Sequence, residues 1–368
     1  MPHSPDAGDA HRHPQPVDAS LDRALQILCL DGGGLKGLFS AAVLAEIESD
    51  HAVKVTEHFD LIVGTSTGGL IALALGAGMS PAQVVDFYVT HGPSIFPRGR
   101  GRTVRQWVRS KHSSAPLRRA LQEVFGNRRL GNSHKRLVIP AYSLDENDVY
   151  LFKTPHHPRF HRDGRELMVD VALATAAAPT YLPAARLRNH RLVDGGVWAN
   201  NPTLVAVVEA LTVLGAASSD CTVLSLGTTE PVSRAGSRLD RGGLLQWVRP
   251  SSRLFLRAQA ISSLHMAEHL LGRDRVTRID PVVPDGLFHL DRLDAGAIRG
   301  LAEGVSRRTS ERVEAFLAHR APEFPAPRGV ALTPTDVPDW RCRGGSSRNC
   351  RTPGAGWADT EDTGGEHP

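Results

Sequence analysis

The pentapeptide Gly64-Thr65-Ser66-Thr67-Gly68 narrows the folds open to this chain more than any other feature. It follows the apolar run FDLIV and precedes LIALAL, so a buried strand meets a buried helix at one turn. A G-x-S-x-G in that setting reads as a nucleophile elbow. The turn lifts the serine hydroxyl off the end of the strand, and glycines flank it because neighbouring side chains would clash. The helix start behind Ser66 also favours negative charge developing there. A glycine-rich strand–helix junction with a chance serine is the plainer alternative.

A second glycine-rich junction lies upstream, at Asp31-Gly32-Gly33-Gly34-Leu35-Lys36-Gly37, again between a strand and a helix. Formally Gly32 to Gly37 is the G-x-G-x-x-G of dinucleotide-binding folds. Asp31 argues against that use, since a carboxylate there would repel a pyrophosphate, and the next strand ends in the serine turn instead of an acidic residue. Uncovered backbone amides in Gly32, Gly33, Gly34 and Gly37 suit an oxyanion hole beside a nucleophile. Lys36 either adds positive charge to it or anchors the loop.

The serine needs a base. An ordinary α/β-hydrolase places several strands before its nucleophile, and only two fit between Leu25 and Ser66, so a Ser–Asp–His order is not expected. The leading candidate is Asp194 in Leu192-Val193-Asp194-Gly195-Gly196, because Gly195 and Gly196 allow close approach to another loop. A hairpin turn or helix cap is the plainer reading of Asp-Gly.

Strands are expected at Leu25–Leu30, Phe59–Val63, Leu137–Tyr142, Val149–Phe152 and Val223–Leu226. Helices are expected at Leu35–Ile47, Thr67–Leu75, Val169–Ala177, after Asn201, and near 253–271 and 294–318. Strand then helix, twice over, predicts an α/β fold with a central, mostly parallel sheet flanked by helices. Residues 1–22 and 321–368 lack periodicity and read as disordered tails. They bracket a catalytic part (25–210) and its continuation in the same globule (211–320). No run approaches the roughly 18 apolar residues of a membrane span. Cys29 and Cys221 sit in apolar runs and read as buried thiols, and neither a disulfide framework nor a zinc site is indicated. No carboxylate or helical spacing organises His11 and His13, or His156, His157 and His161, as ligands, so no metal is expected; no cofactor is expected either. The net charge is +4 and almost all of the positive charge is Arg, which suits an anionic membrane surface, a nucleotide or a nucleic acid and does not choose among them.

In this order the three motifs resemble those of the patatin-like phospholipases. Asp31 to Gly37 matches the family's oxyanion motif, Gly64 to Gly68 its elbow and Asp194 to Gly196 its Asp-Gly-Gly/Ala. Ala174 to Pro183 (ATAAAPTYLP) is similar to the stretch before the aspartate. The resemblance implies a patatin-like three-layer fold and a Ser66–Asp194 dyad without histidine. It also implies oxyanion donors at Gly33 and Gly34, an acyl-serine intermediate and no metal.

Substrate is a separate question. In Thr103 to Lys111, Val104, Trp107 and Val108 would share one helical face flanked by Arg105, Arg109 and Lys111, as in a segment lying on anionic headgroups. An Arg-rich loop whose Trp packs inward, or a grip on a phosphorylated regulator, fits equally. Thr65 to Leu75, Phe152 to His157 (FKTPHH) and Asp194 to Pro202 (DGGVWANNP) also resemble bacterial patatin-like effectors of cyclic-oligonucleotide anti-phage signalling. That implies membrane phospholipids as substrate, a cyclic nucleotide as activator and no nucleic-acid polymer. It further implies a cytoplasmic enzyme, peripheral at the inner membrane when active. An oxidoreductase built on the Gly32–Gly37 loop and a catalytically inactive membrane-binding module are the readings from other classes.

Overall fold

The computed structural model describes residues 24–97, 110–232, 239–284 and 294–324. Most of the Thr103–Lys111 segment therefore lies outside the described residues, as do 1–22 and nearly all of 321–368. Cys342 and Cys350 lie outside them too.

An eight-stranded sheet sits between two layers of helices. Its parallel centre contains β1 (Leu25–Leu30), β2 (Leu61–Gly64), β3 (Arg136–Ser143), β7 (Cys221–Leu226) and β9 (Val276–Ile279), in the spatial order β3-β2-β1-β7-β9. An antiparallel wing adds β4 (Asp148–Lys153), β5 (Ala185–Leu187) and β6 (His190–Asp194). Separately, β8 (Glu230–Val232) pairs in parallel with β10 (Val282–Pro284).

The apolar runs dictate this layering. Every residue of β1 is buried, as expected for a central parallel strand covered on both faces. Alternate residues serve opposite cores. Leu28 and Leu30 pack with α1 (Gly37–His51), α2 (Thr67–Gly76) and α3 (Pro81–Ile95), together with α4 (Ala115–Phe125) and α5 (Met168–Thr175). Ile27 and Cys29 pack toward α7 (Thr203–Thr212) and α8 (Leu244–Leu271), which follow the short α6 (Gly196–Ala199). The last helix, α9 (Ala295–Leu317), returns to the first core through Ile298, Val305, Val313 and Phe316. Cys29 and Cys221 are free and buried, as their apolar settings predict.

The expected strands and helices are present, with shifted ends. The second strand begins at Leu61 because Val55–His58 forms a 3-10 turn, and the helix expected from residue 253 starts at Leu244. Beside the single-turn α6, two longer helices were not anticipated, α3 and α4. The first announces itself through a capping box, in which Ser80 and Gln83 satisfy each other's backbone amides. Ala321, the first residue of the expected C-terminal tail, donates its amide to Glu57 O.

One detail of register positions the site. At Ala141–Ser143 the strand β3 pairs with β4 on one edge and with β6 on the other; at Val138 it pairs with β4 and β2. Hence β2 and β6 lie end to end along the same edge of β3, running toward each other. Between them falls Pro140, which has no amide hydrogen to leave unpaired.

Candidate active site

Ser66 follows the end of β2 and Asp194 closes β6, so the head-to-head strands bring the two together. Ser66 Oγ donates to Asp194 Oδ2 at 2.6 Å. The serine adopts φ 55 and ψ −120, a conformation costly for a side-chain-bearing residue and held here by its surroundings. Its amide donates to Thr175 Oγ1, which in turn donates to Pro140 O in the gap between the strands.

The flanking glycines are required by contact. A Cβ on Gly64 would stand 2.1 Å from Gly68 O, and one on Gly68 would stand 2.1 Å from Leu30 O. Gly195 likewise abuts Pro140 O, at 2.4 Å. The Gly196 amide donates to Asp194 Oδ1 at 2.7 Å, fixing the carboxylate so that its other oxygen faces Ser66. Burial pushes the Asp194 carboxyl up to about 6, against the lowering effects of the Ser66 hydroxyl and the Gly196 amide. A carboxylate made more basic by burial, and bonded to a hydroxyl, can accept that proton as the oxygen attacks carbon.

The glycine loop after β1 runs beside Ser66: a Cβ on Gly32 would lie 3.3 Å from Ser66 Cβ. The expectation of oxyanion donors at Gly32, Gly33, Gly34, Lys36 and Gly37 narrows here. The Gly32 amide is committed to Asn200 O, that of Lys36 to Gly33 O, and that of Gly37 to Gly34 O and Leu35 O. Among the described residues, no group accepts from the amides of Gly33 and Gly34. The Lys36 ammonium donates to Thr229 O, so it ties the loop down. Asp31 is held in an ion pair in the fold. Its two carboxylate oxygens take both Arg278 terminal nitrogens, at 2.9 and 2.6 Å. Burial works against the Arg278 charge, and Asp31 and Asp280 more than offset it.

A family model described as Patatin-like phospholipase matches residues 28–207. A Pseudomonas aeruginosa (strain BWHPSA011 / Pa011) protein named cGAMP-activated phospholipase is 36% identical to this chain over 312 residues, covering 80% of this chain and 92% of its own. The chain belongs to the patatin-like phospholipase family. A relative of the same name from Vibrio cholerae is 34% identical, over 82% of this chain and 94% of its own length. Patatin-like protein 2 of Arabidopsis thaliana is 29% identical over 60% of this chain.

Sequence reasoning missed several residues of this patatin-like phospholipase site. Asn200 joins the Asp194 turn to the glycine loop through its carbonyl, and its own amide is held by Gln259 Oε1 of α8 at 2.9 Å. It lies in the DGGVWANNP block, so a signal was present. Thr175 likewise sits inside the ATAAAPT block. Thr228 and Arg278 belong to no motif; a lone Arg between apolar positions of a strand is the sole hint of the latter. The paired His156 and His157 do not join the site. Both His156 ring nitrogens are engaged, by Thr154 Oγ1 and by Glu209, which also takes Lys153. No group of three His, Cys, Asp or Glu side chains among the described residues is placed to hold a metal ion.

Proposed function

We propose that this chain hydrolyses fatty-acyl esters of membrane phospholipids through a Ser66–Asp194 dyad, and that a cyclic dinucleotide switches it on. The carrying observation is the 2.6 Å hydrogen bond from Ser66 Oγ to Asp194 Oδ2. Ser66 Oγ attacks the ester carbonyl carbon while its proton passes to Asp194. The former carbonyl oxygen, now an oxyanion, accepts from the Gly33 and Gly34 amides. When the tetrahedral carbon collapses, its bond to the glycerol oxygen breaks and that oxygen takes the proton from Asp194. Water then attacks acyl-Ser66 with Asp194 as base, and the proton returns to Ser66 Oγ as the fatty acid leaves.

The nucleotide switch rests on the names of the two bacterial relatives. In this reading the enzyme works in the cytoplasm, peripheral to the inner membrane when active. Residues 25–210 and 211–320 act as one catalytic globule, a view supported by Gln259 and Arg278 reaching the loops around Ser66.

The test is a serine-reactive fluorophosphonate probe with peptide mass spectrometry, run beside fatty-acid release from phosphatidylethanolamine/phosphatidylglycerol vesicles, with and without cGAMP. Labelling at Ser66 and release lost in Ser66→Ala are expected. Label on another residue, or release by Ser66→Ala, refutes the dyad. A full rate without nucleotide refutes the switch and leaves the hydrolase standing.

A further inference from the structure

The geometry points to Thr228 as a positioning residue that sets the direction of the Gly33 amide. This rests on the reading of Ser66 as nucleophile and of the Gly33 and Gly34 amides as oxyanion donors.

Thr228 follows β7 in the stretch Gly227-Thr228-Thr229, which no motif includes. Its hydroxyl donates to Gly32 O at 3.1 Å, and its side chain lies so close to Gly33 that a Cβ there would stand 2.1 Å from Thr228 Oγ1. The peptide joining Gly32 to Gly33 is planar and trans, so the Gly32 carbonyl and the Gly33 N–H point in opposite directions. Holding the carbonyl on the Thr228 side therefore turns the Gly33 N–H to the other side. On the preceding peptide, the Gly32 amide is held by Asn200 O. Glycines would otherwise let this peptide rotate with little penalty, since no side chain restricts it.

The hydroxyl is itself well founded. Gly227 N donates to Ile279 O and Thr229 N to Asp280 Oδ1, while Asp280 Oδ2 accepts from Arg278. The same guanidinium grips Asp31, the residue before the glycines, and Ser225 Oγ. Lys36 Nζ closes the frame on Thr229 O. The loop after β1 and the loop after β7 are thus one braced unit, and Thr228 Oγ1 is where it touches the peptide whose orientation matters for the oxyanion.

Thr228→Val keeps the shape and removes the hydroxyl; Thr228→Ser keeps the hydroxyl. With 4-nitrophenyl butyrate, Thr228→Val is expected to lose roughly 10- to 100-fold in kcat with KM within about twofold. Its affinity for a trifluoromethyl ketone, whose serine adduct places an oxyanion in the hole, should fall by the same factor as kcat/KM. Thr228→Ser should return to within about threefold of the parent rate. Wild-type kcat in Thr228→Val, beside a dead Ser66→Ala, overturns the proposal and spares the dyad. Equal losses in Thr228→Val and Thr228→Ser, or a rate loss with ketone affinity unchanged, also overturn it, because they mark a packing role. Turnover in Ser66→Ala overturns the reading of the nucleophile, and the positioning role with it.

Discussion

Ser66 and Asp194 meet at 2.6 Å across 128 positions of chain because their strands advance on each other along one edge of β3. Strand register, more than loop conformation, sets their separation. The acid is therefore intolerant of length: Asp194→Glu adds one methylene where Gly196 and Ser66 already fix both oxygens. A misplacement on the order of 1 Å costs about 100-fold in rate. We expect at least that loss in kcat for a soluble ester with the circular dichroism spectrum unchanged. Activity within tenfold of the parent would contradict a geometry fixed by register.

The pH dependence follows from the buried acid. Asp194 must be ionised to take the serine proton, so kcat/KM should rise through about pH 6 and level off above it. Asp194→Asn should show no such limb and no turnover.

Stability should move the opposite way. The folded carboxyl keeps its proton up to about 6, whereas the unfolded one loses it near the ordinary value of 3.8. Between those values the native state binds more protons, so stability falls as pH rises through the window. By neutral pH the penalty is on the order of 3 kcal/mol. Asp194→Asn should therefore melt higher than the parent at pH 8 and close to it at pH 4. A lower melting temperature at pH 8 would show that the ionised acid is not a burden to the fold.

Two glycines separate folding from chemistry. Gly68→Ala drives a methyl into Leu30 O, a backbone atom with nowhere to go, and should lose more than ~4 kcal/mol or fail to fold. Gly196→Ala meets instead the side-chain oxygens of Asp194 and Asn200, at 3.0 and 3.2 Å. It should fold and melt near the parent while its kcat falls, since what yields is the carboxylate itself. Thermal melts and steady-state rates on the pair decide the matter.

The long helix α8 should matter to the rate. Gln259→Ala removes the acceptor for the Asn200 amide, at a stability cost of about 1 kcal/mol. Because Asn200 O holds the Gly32 amide, we expect kcat to drop several-fold beyond what that small loss explains. An unchanged kcat would show that α8 only covers the sheet.

The tight turns at Ser66, Asp194 and Gly32–Gly37 were legible as candidates because each sets glycines at fixed offsets beside an apolar run, and that pattern survives in one dimension. The sheet's parallel centre was legible because β1 and β2 are short, buried, apolar but for Gln26, and each followed by a helix. What could not be read were the partners that meet through the sheet. Arg278 on β9 reaches past β7 to Asp31 at the end of β1, and no local period announces a distant carboxylate. The glycine amides look alike in the sequence; Asn200 O and the turn into α1 decide that Gly33 and Gly34 stay open while Gly32 and Gly37 do not. The charge of Asp31 is likewise visible in the sequence, and Arg278, the partner it shares with Asp280, is not.

Arg278 lies 247 positions after the Asp31 it clasps. At ~5–20 residues/s, a ribosome needs roughly 12 to 50 s to get from one to the other. For most of that interval the serine has been made and this clasp has not. Until synthesis has passed Arg278, Asp31 lacks the guanidinium that clasps it, so the loop beside Ser66 is one of the last parts of this fold to be braced.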